Sequence, residues 1–114
     1  MTTASLGAGN VTITLDGEEA VLRPSLKAAQ TISKQSGGII AAVNAVARFD
    51  FETIVSVIAL GLGVSQGRAV QDLAEKVYAT GLTDLVEPVT RFLTIVANGG
   101  RPVEAGGEGE RDPR

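Results

Sequence analysis

The chain has 114 residues and 44% hydrophobic content, which suits one domain with a modest core. It contains no His and no Cys, which removes zinc sites of Cys/His type, Cys/His nucleophile pairs, disulfides and the commonest general base. A net charge of −3 is the wrong sign for binding nucleic acid through the overall field, and with three Phe, one Tyr and no Trp the core must be built from Val, Ile, Leu and Ala.

Residues 1–9 carry neither a basic n-region nor a continuous apolar h-region, so a flexible N-terminus is expected rather than a signal peptide. From Asn10 the pattern sharpens. Val11, Ile13 and Leu15 alternate with Thr12 and Thr14, the period of a half-buried strand, and Asp16-Gly17 is a preferred hairpin turn. A two-residue loop pairs Leu15 with Glu18, Ile13 with Ala20 and Val11 with Leu22; a four-residue loop pairs Leu15 with Ala20 and Ile13 with Leu22. Both keep the apolar residues on one face, whereas a three-residue loop turns Leu22 outward.

Arg23-Pro24-Ser25 reads as a helix entrance with Ser25 as N-cap, and Leu26, Ala29 and Ile32 mark the first helix's inner face. Gly37-Gly38 ends it. Ile39 to Phe49 is apolar except at Asn44 and Arg48, as expected of a central helix or one covered by a partner. Asp50 caps the next segment, where Phe51, Ile54, Val55, Ile58 and Leu62 face inward. Its β-branched run also fits a buried strand; the cap and the length favour helix over 54–62. Gly61 and Gly63 close it, and Ser65 opens a helix whose inner face is Val70, Leu73, Ala74, Val77 and Tyr78, ending at Gly81. The last helix begins near Thr83 or Asp84, with Asp84 and Glu87 forming a capping box, Pro88 in or beside the first turn, and Leu85, Val89, Phe92, Leu93 and Val96 inside. Residues 99–114 are rich in Gly, Pro and charge and predict a flexible tail. The longest apolar stretch, Ile54 to Val64, is too short to span a bilayer.

Sites of chemistry are scarce. Asp16, Glu18 and Glu19 are turn and solubility residues before they are a cation site, since calcium draws six or more oxygens from an organised loop. Gly61-Leu62-Gly63 lacks the third glycine of a dinucleotide fingerprint, because Gln66 stands there. No Ser-x-x-Lys motif exists around Lys27, Lys34 or Lys76. Ile58 to Lys76 has the layout of a helix-turn-helix, with Arg68 and either Gln66 or Gln71 as base-contacting residues, but Asp72 and Glu75 on the same helix oppose phosphates and only Lys76 adds positive charge. Arg23, Lys27 and Lys34 make a basic face, read first as solvated surface and second as a docking patch.

Taken together, Asp16-Gly17, Arg23-Pro24-Ser25, Gly37-Gly38, Ala59-Leu60-Gly61-Leu62, the helix end from Tyr78 to Gly81 and Pro88 to Leu93 carry a resemblance that spans about Asn10 to Asn98. The pattern resembles the small tail proteins of gene transfer agents and related siphophages, described both as tail assembly chaperones and as tail tube proteins. Where that family carries an acidic residue late in its first helix, Ser33-Lys34-Gln35 stands here, so no partner contact through that carboxylate is carried over. The resemblance implies a non-enzymatic helper that holds a tape measure protein or tail tube protein soluble in the bacterial cytoplasm until the tail polymerises. A structural tail tube subunit, incorporated in the particle, is the alternative, and a small DNA-binding regulator the third reading.

The expected architecture is α+β: an N-terminal two-stranded antiparallel hairpin (10–23) packed on four to five helices (25–98) in one domain over 10–98, with a tail from 99. No catalytic, metal or cofactor residue is assigned. A client needs a strand edge or an apolar face. The candidate partner surface is therefore Val11, Ile13, Leu15, Val21 and Arg23 on the hairpin, Lys27 on the first helix, and Ile39, Ile40 and Val43 on the apolar helix. Self-association stays open; neither a membrane nor nucleic acid is an expected partner.

Overall fold

The computed structural model describes residues 9–65 and 67–102. The alternating segment forms strand β1 (Val11–Leu15), and Glu18–Leu22 returns as β2 in antiparallel register, with Leu15 opposite Glu18, Ile13 opposite Ala20 and Val11 opposite Leu22. The two-residue loop is therefore the one adopted. Asp16 and Gly17 both have positive φ, 51° and 85°, the type I′ geometry whose twist matches a hairpin.

Five helices follow: α1 (Leu26–Ser36), α2 (Ile39–Ala47), α3 (Phe51–Leu62), α4 (Arg68–Thr80) and α5 (Val86–Ala97), with a 3-10 turn at Leu82–Asp84. Ser25 Oγ accepts from Ala28 N at 3.0 Å and Asp50 Oδ1 from Thr53 N at 3.1 Å, so both expected caps form. Gly37 closes α1 in the left-handed conformation. The β-branched run over 54–62 is helical, and Ile54, Val55 and Ile58 are buried as a helix places them.

The core lies between the inner face of the hairpin and α3 and α5. Val11, Ile13, Leu15 and Leu22 meet a set in which Phe92, Ile54, Ile58, Leu85 and Leu93 are fully enclosed. All five inner residues expected for α5 are buried. Gly61 lies at a close crossing of α3 with β2 and α5, where a Cβ would come within 2.9 Å of Leu22 Cβ and 3.1 Å of Phe92 Cζ. Its carbonyl accepts the Arg23 N–H at 2.9 Å, which fastens the end of β2 to α3.

Several expectations are corrected. Leu26 is 74% exposed and Tyr78 80% exposed, so neither faces inward. Packing against the neighbouring elements turns Ala28 and Ile32 of α1 inside, and Leu26 sits two residues, or about 200°, from Ala28. On α4 the buried line is Leu73–Val77, and Tyr78 is one step beyond it. Gly61 is inside α3 rather than its stop; Gly63 is the left-handed C-cap.

Ser65 does not cap α4, which starts from Gly67. The Asp84–Glu87 box does not form: buried Leu85 donates its N–H to Leu82 O at 2.9 Å, drawing Asp84 into the 3-10 turn, and α5 opens from Leu85 without a side-chain cap. Residues 99–102, expected in the tail, fold back on α5 through Gly100 N to Ile95 O at 2.9 Å. The expected flexible segments 1–8 and 103–114 lie outside the described residues.

Candidate functional site

In a two-residue hairpin the pairs flanking the turn and every second pair beyond it exchange backbone hydrogen bonds, so the intervening residues present N–H and C=O groups to the sheet edges. On β1 these are Thr12 and Thr14; on β2 they are Glu19 and Val21, with Arg23 next in the row. Both edges are pinned. Asp16 N–H reaches Thr80 Oγ1 at 2.6 Å, and Arg23 N–H is taken by Gly61. Two residues on each edge keep outward backbone groups that bond no other described backbone group.

The hairpin part of the expected partner surface is corrected accordingly. Val11, Ile13 and Leu15 are 2 to 3% exposed, because the period that makes them a strand aims them at the core. They cannot supply side-chain contacts to a client. Val21 lies half-buried on the outer face opposite Thr12, and Arg23 is exposed at the end of β2.

Helix α2 behaves differently. Ile39 and Val43 are half-buried, while Ile40 is 72% exposed. From Ile39 to Ala47 the helix has no charged residue, and its exposed positions are Ile40, Asn44 and Ala47, spaced along one stripe. Phe49, just past the helix end, is 47% exposed with φ of 65°. A bulky residue in the left-handed region costs roughly 1–2 kcal/mol where glycine would cost little.

A second apolar feature adjoins it. The starts of α1 and α2 and the end of α5 enclose an open groove of about 600 Å³ lined by Pro24, Leu26, Ala29, Ile39, Val96 and Gly100. Arg23 and Lys27 flank the Pro24–Leu26 run and are exposed. Arg101 closes the other side: a Cβ on groove-lining Gly99 would lie 3.1 Å from its Nη1. None of these three cations makes an ion pair among the described residues. Of the expected partner residues only Ile39 lines this groove, whereas Ile40 and Val43 belong to the face of α2. The groove itself was not legible from the sequence; Leu26 at an amphipathic helix start was the only local sign of it.

The remaining candidates are tied to the fold. Glu18 pairs with Lys76 at 3.1 Å, which sets an acid beside the cation that α4 would bring to phosphates. Exposed Arg68 and Gln71 share α4 with exposed Asp72 and Glu75, while Gln66 lies outside the described residues. Among the described residues no helix is long and apolar enough to cross a membrane, and no group of three or more acids gathers as a metal site. Comparison with protein-family models, curated proteins and solved structures finds no match.

Proposed function

We propose that this chain is a non-enzymatic tail morphogenesis protein of phage or gene transfer agent type, acting as an assembly chaperone in the bacterial cytoplasm. Its client is a tape measure protein or tail tube protein, kept soluble until the tail polymerises. The observation that carries the reading is the uncharged outer face of α2, where Ile40 is 72% exposed and the helix is followed by a half-exposed Phe49. A stable fold does not need an exposed isoleucine on a helix free of charge; a client helix laid along i, i+4 positions does. The resemblance over Asn10 to Asn98 supplies the client class, and the outer face of α2 supplies a surface for it.

Co-expression with a neighbouring, long helical tape measure protein tests this. Wild-type chain raises the soluble yield of that protein several-fold, and Ile40→Glu removes the gain while leaving the chain's own melting transition in place. An unchanged yield with wild type refutes the proposal.

A further inference from the structure

The groove between the starts of α1 and α2 and the end of α5 is apolar, and the described residues leave it open. Leu26 is 74% exposed there, Ala29 and Ile39 are half-buried, and Val96 lies beneath the surface. None of the described residues lining it is charged. Its chemistry therefore suits an apolar, uncharged occupant.

The first described residue, Gly9, packs against two residues of the groove lining. An added Cβ at Gly9 would overlap Gly100 O and come within 3.4 Å of Pro24 Cγ, so residue 8 starts beside the groove. Residues 1–8, MTTASLGA, hold Met1 and Leu6 and no charged side chain. Leu6 is three residues from Gly9, which keeps the two Cα atoms within about 11 Å even in extended chain. The other end of the described chain is placed differently. Asn98 Nδ2 donates to Pro102 O at 3.4 Å, and Asn98 is not among the lining residues. Residues 103–114 also carry four acids and two arginines against a single Val, a poor match for an uncharged lining.

We propose that the segment 1–8 of the same chain folds back as a strap over this groove and seats Leu6 against Leu26, Ile39 and Val96. Tethering selects this occupant over a separate molecule. A segment joined at the groove's edge meets it at an effective concentration in the mM range, so one modest apolar contact outcompetes a dilute partner. Glycine at position 9 lets the backbone lie close to Gly100, where any side chain would push the strap away. The strap covers Leu26 in the free chain. Ile40 and Phe49 take no part in this contact, so it stands or falls apart from the client face of α2.

Nuclear Overhauser spectroscopy on the full chain, with the Leu, Ile and Val methyls labelled, reads the contact. Leu6 methyls give cross-peaks to Leu26, Ile39 and Val96. Leu6→Ser shifts the methyl signals of those three residues and leaves Leu73 and Val77 of α4 in place, with the circular dichroism melt matching wild type. Gly9→Ala lowers the Leu6 cross-peak intensities at least 2-fold. In a mixture of labelled and unlabelled chains, isotope-filtered spectra show no Leu6 contact between copies. Cross-peaks that arise only between copies would make a second copy the occupant, and cross-peaks to the groove from Val103 in place of Leu6 would make it the C-terminal segment. A Leu6 without cross-peaks to the groove would leave it open to a separate partner. Each of these three results overturns the proposal.

Discussion

Thr80 Oγ1 accepts the backbone N–H of Asp16 at 2.6 Å, tying the hairpin turn to the last residue of α4 across 64 positions of sequence. The same hydroxyl donates to Lys76 O at 2.8 Å, and Lys76 Nζ reaches Glu18 on the far side of the turn at 3.1 Å. The hairpin tip is thereby held by one turn of helix. Thr80→Val keeps the shape and removes both hydroxyl bonds, so a loss of about 1 kcal/mol is expected. Amide exchange at Asp16 and Gly17 should quicken more than exchange in α3, and Thr80→Ser should restore both stability and protection. Equal exchange in Thr80→Val and wild type would show that the tip is held by packing alone.

What was legible in the sequence follows a physical division. The strand period, the Asp16-Gly17 turn and the caps at Ser25 and Asp50 depend on residues within a few positions of each other, and each formed as read. Which way Leu26 and Tyr78 point depends on helices meeting from elsewhere, and a 3.6-residue period allows a face to be assigned one step out of phase. The groove needs three elements that are distant in sequence, so only one piece of it, Leu26 at the start of an amphipathic helix, was readable. Gly61 looked like a helix stop because glycine more often ends a helix than accommodates a strand and a phenylalanine across it.

Three acceptors that look alike in sequence separate in the structure. Ser25 and Asp50 make their cap bonds at 3.0 and 3.1 Å, while Asp84 lies exposed in the 3-10 turn with no such bond. Ser25→Ala and Asp50→Ala should each cost about 1 kcal/mol in urea unfolding. Asp84→Ala should stay within about 0.5 kcal/mol of wild type. A cost at Asp84 equal to the other two would mean the capping box forms in solution.

The acids of the hairpin tip serve solubility and one weak pairing. Glu18 and Lys76 expose 72% and 45% of their side chains, so water and salt screen the pair. Glu18→Gln together with Glu19→Gln should lower stability by no more than about 1 kcal/mol, with the difference fading in high salt. Loss of folding in this double variant, or a metal released from wild type on chelation, would contradict this account of the tip.

Gly37 and Gly61 are both irreplaceable by ordinary reading, yet for opposite reasons. Gly37 has φ of 83° and nothing within 4 Å of an added Cβ, so space is open and only the backbone conformation is costly. Gly61 lies within α3, and an added Cβ there meets Leu22 and Phe92 at 2.9 to 3.1 Å. Gly61→Ala gains about 1 kcal/mol of helix propensity and loses more through overpacking, typically 1–3 kcal/mol, so net destabilisation is expected. It should also weaken the Arg23 N–H bond to the Gly61 carbonyl, detected as faster exchange of the Arg23 amide. At Gly37, Asn should be tolerated better than Ala, because Asn enters the left-handed region more readily. At Gly61 the order reverses, since Asn only adds bulk where Ala is already too large. Urea midpoints for the four variants decide the matter, and the same order at both positions would remove either the steric or the conformational explanation.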